Sequence, residues 1–127
     1  MKQYNAKNIL NLAVAGHSGS GKTSLAEAMI YLCNGSERLG KVSEGNTICD
    51  FDPEEIKRKT SVQTCVAPIE WKNKKINLID APGLFDFEGG LSEAVRAADS
   101  VLITVSGKNG VSVGTEKAVK AAAIAKV

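Results

Sequence analysis

Apolar and polar positions fall into a few patterns along this chain, and each pattern predicts an element. The run "NILNLAVAG" (residues 8–16) is almost continuously apolar and closes on glycine, as expected for a strand buried on both faces of a parallel sheet. After a glycine-rich segment, Leu25, Met29 and Leu32 recur at helical spacing with Ala26, Ile30 and Cys33 beside them. Asn34-Gly35 then supplies a helix stop. Residues 36–50 are polar, glycine-spaced and without period, so they read as loop. "DPEE" combines a capping Asp52, Pro53 at the first helical position and Glu55 as capping partner. It opens a short helix over 53–58 with expected Glu54–Arg58 and Glu55–Lys59 pairs.

"SVQTCVAPIEW" (61–71) and "KINLID" (75–80) flank the polar turn "KNKK" and read as a hairpin, with Pro68 placing the first strand at a sheet edge. "LSEAVRAA" (91–98) predicts an amphipathic helix and "SVLITVS" (100–106) another buried strand. "TEKAVKAAAIAKV" (115–127) predicts a helix opened by a Thr115 cap. Strands alternating with helices predict an α/β fold: a three-layer sandwich around a mostly parallel sheet with one antiparallel edge hairpin. The last helix finishes without a following strand, so the chain is expected to be an N-terminal piece of a longer domain.

Length and composition narrow this picture. At 127 residues the chain is one domain at most, and 43% hydrophobic with 24% charged residues is ordinary globular composition. A formal charge of +2 does not by itself call for nucleic acid or membrane as partner. Cys33, Cys49 and Cys65 are odd in number and in no metal-ligand spacing, so reduced thiols of a cytosolic protein are expected. The N-terminus has no signal-peptide pattern and no apolar run approaches a membrane span. The expected location is cytoplasmic, with no membrane and no direct DNA binding.

Candidate chemistry centres on Gly16-x-x-x-x-Gly21-Lys22-Thr23, the spacing of a phosphate-binding loop. Glycine lets successive backbone N–H groups converge on phosphate oxygens, and the following helix N-terminus adds its dipole. The nucleotide-binding set is therefore Gly16, His17, Ser18, Gly19, Ser20, Gly21, Lys22, Thr23 and Ser24. Within it Lys22 supplies charge to the outer phosphates and the Thr23 hydroxyl is a ligand for Mg²⁺. The motif's place between a predicted buried strand and a helix makes the fold a P-loop NTPase. In "INLIDAPG", Asp80 at a strand end suits a carboxylate ordering a magnesium-bound water, and the Gly83 N–H suits the γ-phosphate. Lys22 and Gly83 are the catalytic candidates. Thr60 and Ser61 are equal candidates for a further magnesium-binding hydroxyl. His17 reads as a solvated loop residue, "KRK" (57–59) and "KNKK" (72–75) as solvated faces, and Trp71 and Phe87 as hairpin and switch packing.

Together these segments resemble the GTP-binding (G) domain of translational GTPases, and within them elongation factor G and its elongation-factor-G-like relatives. The resemblance covers essentially the whole chain, residues 1–127. "NLAVAGHSGSGKTSLAEAM" resembles that family's first strand, phosphate loop and helix, "CDFDPEEIKRKTSVQT" its switch I, "INLIDAPG" its Asp-Thr-Pro-Gly, and "GVSVGTEKAV" the segment after its fourth strand. The resemblance puts Ser61 at the magnesium-binding threonine position, switch I over 36–61 and switch II over 84–90. It implies Mg²⁺-dependent GTP hydrolysis to GDP, coupled to switch-loop rearrangement, in protein biosynthesis with the ribosome as partner. Two departures stand out. Leu84 occupies the place of a water-positioning histidine, which predicts slow intrinsic hydrolysis or a GTP-binding switch that barely hydrolyses. The Asn-Lys-x-Asp segment that recognises guanine is absent, so the chain is expected to be a truncated G domain; a P-loop ATPase or kinase is the remaining alternative.

Overall fold

The structure, a computed structural model, describes residues 2–84 and 88–127. Four strands form one sheet: β1 (Ile9–Gly16), β2 (Cys65–Trp71), β3 (Lys74–Asp80) and β4 (Ser100–Thr104), in the order β2-β3-β1-β4. β1 lies parallel to both β3 and β4, and only β2–β3 is antiparallel. Lys72 and Asn73, both at positive φ, make the tight hairpin turn between β2 and β3. Pro68, which has no N–H to donate, sits in edge strand β2 as expected.

Helices cover both faces, giving three layers. On one face Ala13 and Ile79 pack with Ala81 against Ala94 and Ala98. Ala94 belongs to α3 (Glu88–Ala97), and Ala98 follows it directly. On the other face Ile30 of α1 (Lys22–Leu32) packs with Cys49, Ala67, Ile69 and Leu78. Fully burying a side chain such as Ile30 or Leu78 contributes about 1.5–3 kcal/mol each. A short helix, α2 (Pro53–Arg58), and the final α4 (Val113–Ala125) complete the described fold.

Several local expectations shift. The buried stripe of α1 is Thr23, Ala26, Glu27 and Ile30, whereas Leu32 is 72% exposed. The glycine-rich loop fixes how α1 starts, turning Lys22 and Thr23 inward, and that rotation overrides the Leu25–Leu32 stripe. The 61–71 strand begins only at Cys65, which frees Ser61 for the site described below. The 100–106 strand stops at Thr104, and Ser106 bridges Gly110 across a turn. α3 starts at Glu88, ahead of the expected Leu91, and α4 starts after Ser112, whose N–H donates to Thr115 Oγ1 at 3.3 Å. Thr115 is therefore inside the first turn rather than its cap. Glu54 pairs with Arg58, but Glu55 turns inward to accept from the N–H groups of Asp52, Val62 and Gln63. Burial and three backbone donors hold that carboxylate more firmly than an exposed Lys59 pair would. Residues 85–87 of the expected switch II, Phe87 among them, lie outside the described residues.

Candidate functional site

Parallel strands β1 and β3 end side by side, with Val14 opposite Asp80, so the loops that follow them leave from one edge of the sheet. From β1 the chain enters the glycine-rich loop. Gly16 lies so close to β4 that a Cβ there would stand 2.5 Å from the Thr104 carbonyl oxygen. Ser20 Oγ meets Thr104 Oγ1 at 2.6 Å, anchoring the loop's far side to the same strand. Gly21 then takes the left-handed conformation as helix N-cap, and no side chain caps α1. The first-turn N–H groups are therefore available to an anionic ligand.

Ser18, Gly19, Gly21, Lys22, Thr23 and Ser24 line a cleft of about 200 Å³. Its opposite wall is Asp50, Lys59, Thr60, Ser61 and Gly83. Gly16, His17 and Ser20 shape the loop from behind and do not line the cleft. The Lys22 ammonium donates to the His17 carbonyl at 2.9 Å. Burial lowers the Lys22 pKa, while the negative charges of Asp80 and Asp50 oppose that shift. Gly83 closes over this lysine: a Cβ there would collide with the ammonium and stand 2.8 Å from the Ser18 nitrogen. Only glycine fits.

Four oxygens meet at the inner corner of the cleft. Thr23 Oγ1 donates to Asp80 Oδ2 at 2.7 Å, and Ser61 Oγ donates to Asp50 Oδ1 at 2.6 Å. Each hydroxyl has one proton, and both are committed to carboxylates. The two hydroxyl oxygens thus face each other, 3.0 Å apart, with lone pairs. Asp80 Oδ1 and Asp50 Oδ2 are buried without a hydrogen-bond partner. Burial raises the Asp80 pKa to about 6 despite the Thr23 hydroxyl and Lys22, and burial likewise raises that of Asp50. An all-oxygen set with two under-satisfied carboxylates fits a hard divalent cation such as Mg²⁺. Among the described residues no cluster of three His, Cys, Asp or Glu has metal-holding geometry, so hydroxyls must complete this set.

Thr23, Ser61 and Asp80, three residues selected from sequence, thus converge, and of the two hydroxyl candidates it is Ser61 that meets Thr23. Asp50 was missed as a site residue; its signal was its place at the start of the switch I resemblance. Glu27 was missed because it lies away from the predicted Leu25, Met29 and Leu32 face, where a carboxylate reads as solvated. His17 is not a solvated residue. It packs against Gly114 at the start of α4, with Nδ1 buried, because the loop folds back between β1 and that helix. Trp71 is 52% exposed on the hairpin, with the Lys72 ammonium 5.8 Å from its ring centroid.

The fold, with its glycine loop and facing strand-end carboxylate, resembles the G domain of translational GTPases. More particularly, the chain belongs to the elongation factor Tu GTP-binding domain family, which matches residues 7–127. It is 42% identical over 103 residues to an elongation factor G-like protein of Mycobacterium tuberculosis, covering 81% of this chain and 14% of that protein. It is 37% identical over 112 residues to the mitochondrial ribosome-releasing factor 2 of Scheffersomyces stipitis, covering 88% and 13%. A crystal structure from Thermus thermophilus superposes with a TM-score of 0.89 at 45% identity, over 91% of this chain and 18% of that one. The bacterial selenocysteine-specific elongation factor EF-Sec follows at a TM-score of 0.71 and 25% identity, over 90% and 17%. The chain thus spans 14% or less of these curated relatives. Among the described residues no helix is long and apolar enough to cross a membrane.

Proposed function

We propose that this chain is the nucleotide-binding part of an elongation-factor-G-like GTPase that hydrolyses GTP to GDP and acts with the ribosome in the cytoplasm. The observation that carries the reading is the corner where Thr23, Ser61, Asp80 and Asp50 converge beside Lys22 and Gly83. In this reading the backbone N–H groups of residues 18, 19 and 21–24 bind the phosphate tail, and the Lys22 ammonium takes the charge of its outer phosphates. Thr23, Ser61 and Asp80, with Asp50, would hold Mg²⁺, which when bound neutralises charge on the β- and γ-phosphates. The Gly83 N–H addresses the terminal phosphate, so the loop after β3 senses whether that phosphate is present. Guanine as the base and the ribosome as the partner rest on membership of the family and on the names of the similar proteins.

Leu84 favours a second reading, a GTP-dependent switch with little intrinsic hydrolysis. It is half-buried and, with Pro82, Leu91 and Gly114, lines a small pocket of about 20 Å³ behind the phosphate loop. An aliphatic group there neither orients water nor stabilises developing charge, and lacking a positioned acid or base costs about 10²–10⁴-fold in rate.

Binding of a fluorescent GTP analogue, with ATP as competitor, tests the first reading together with single-turnover hydrolysis with and without ribosomes. Lys22→Ala should abolish binding, and unchanged affinity would overturn the phosphate-loop assignment. Equal competition by ATP would reassign the base. Binding without ribosome-stimulated turnover would leave the switch reading in place of the hydrolase.

A further inference from the structure

Glu27 has no part in the chemistry above, yet it is 1% exposed. A carboxylate so deeply buried is costly unless its environment uses it. Its Oε1 accepts the N–H of Ile48, in the polar segment that precedes α2. Its Oε2 has no hydrogen-bond partner and lies under Gly40, where a Cβ would stand 2.5 Å from it. Glu27 therefore meets the segment at both ends, Gly40 and Ile48. The segment is also closed on itself, since the Lys41 N–H donates to Asn46 Oδ1 at 2.7 Å and the Asp50 N–H to Thr47 Oγ1 at 3.3 Å.

Thr23 and Glu27 are four residues apart on one face of α1. Thr23 reaches the cation corner, and one turn later Glu27 reaches Ile48, two residues before Asp50. We infer that Glu27 is a positioning residue that latches residues 40–48 onto the helix face carrying Thr23, so that Asp50 and Ser61 are preset for the divalent cation and the terminal phosphate. This rests on the nucleotide-binding reading and adds to it a coupling: docking of the segment and binding of the Mg²⁺–triphosphate favour each other, whereas a diphosphate without cation gains nothing from the latch.

The test uses the full chain as wild type, Glu27→Ala, Glu27→Gln and Gly40→Ala, with Lys22→Ala as reference. Two affinities are measured, for a non-hydrolysable GTP analogue with Mg²⁺ and for GDP in EDTA, and hydrogen exchange is followed at Ile48 in the ligand-free chain. Glu27→Ala should weaken the Mg²⁺–triphosphate analogue about tenfold, leave GDP in EDTA within about twofold, and speed exchange at Ile48 about tenfold. Glu27→Gln retains an acceptor for the Ile48 N–H and should recover most of the loss. Gly40→Ala would bring a Cβ to 2.5 Å from Glu27 Oε2 and to 2.9 Å from the Asn46 carbonyl oxygen and Thr47 Cα, so it undocks the segment by crowding both sides and should reproduce the Glu27→Ala pattern, which keeps the test intact if Glu27→Ala does not fold. An equal fall in both affinities, no recovery in Glu27→Gln, or unchanged exchange at Ile48 would overturn the latch. If the wild type binds neither nucleotide, the nucleotide-binding reading itself fails. If wild type binds, Lys22→Ala does not, and Glu27→Ala matches wild type, only the latch fails.

Discussion

Replacing Asp80 by Asn should make the ligand-free protein more stable while removing its cation-dependent nucleotide affinity. The carboxyl is 1% exposed, and burial lifts its pKa from the ordinary 3.8 to about 6. A raised carboxylate pKa means that folding favours the protonated form. The stabilising contribution is fully present below about pH 3.8 and is lost as pH rises through about 6. The gap between those values, at about 1.4 kcal/mol per pH unit, amounts to about 3 kcal/mol of strain carried by the ionised form at pH 8. The amide introduced by Asp80→Asn would carry no charge; its carbonyl oxygen can still accept from Thr23, while its NH2, standing where Oδ1 has no partner, offsets part of the gain. Urea unfolding in EDTA should therefore show Asp80→Asn more stable than wild type by up to about 3 kcal/mol at pH 8, by about half as much at pH 5, and by nearly nothing near pH 3.5. In calorimetry at pH 8, the affinity for Mg²⁺–GTP should fall by at least about a hundredfold. A destabilised Asp80→Asn at pH 8, or a stability difference that ignores pH, would refute the view that this carboxylate is held under strain for a cation.

Three further outcomes follow from the same geometry. Gly83→Ala should lose about tenfold or more in Mg²⁺–GTP affinity by calorimetry, because the new Cβ displaces the Lys22 ammonium; unchanged affinity would contradict the packing of Gly83 on Lys22. Lys59 adopts a left-handed φ of 54°, so Lys59→Gly should raise the urea midpoint by the equivalent of about 0.5–1 kcal/mol at an unchanged m-value, and a lowered midpoint would show that the lysine side chain itself stabilises. Leu84→His should raise ribosome-stimulated single-turnover hydrolysis by about tenfold or more, and an unaltered rate would mean that water is positioned elsewhere.

Much of this architecture is legible in sequence because its signals are local. The apolar run into Gly16, the Gly-Lys-Thr that opens α1, and the Asp80 that closes β3 are each read within a few residues, and together with the Pro68 hairpin they carry the layered fold and its antiparallel edge. What escapes depends on groups brought from far away. On spacing alone Ser61 reads equally with Thr60, and only the family resemblance separates them until Thr23 and Asp50 approach Ser61 from 38 and 11 residues off in the chain. Glu55 makes a sound helical ion pair on paper, but its backbone partners Val62 and Gln63 appear only once the chain turns after α2. On α1 the periodicity selects Leu32, whereas the contacts of Lys22 with the His17 carbonyl and of Thr23 with Asp80 at the helix start decide which side faces inward. Hydrophobic pattern cannot announce a buried Thr, Lys and Glu on one helix, because their burial is set by partners outside the helix: Asp80 and Ser61 for Thr23, the His17 carbonyl for Lys22 and the Ile48 N–H for Glu27.

The pairing of Val14 with Asp80 also bears on how a preparation of this protein should be judged. Alternate residues of β3 project to opposite sides, so a slip of one position would carry Asp80 over to the α3 layer and put Ile79 beneath Thr23. Such a molecule would keep most of its backbone pairing and pass as folded by circular dichroism, yet have no carboxylate under its phosphate loop. Counting binding-competent molecules by nucleotide titration, against protein counted by absorbance, would expose any such shortfall directly.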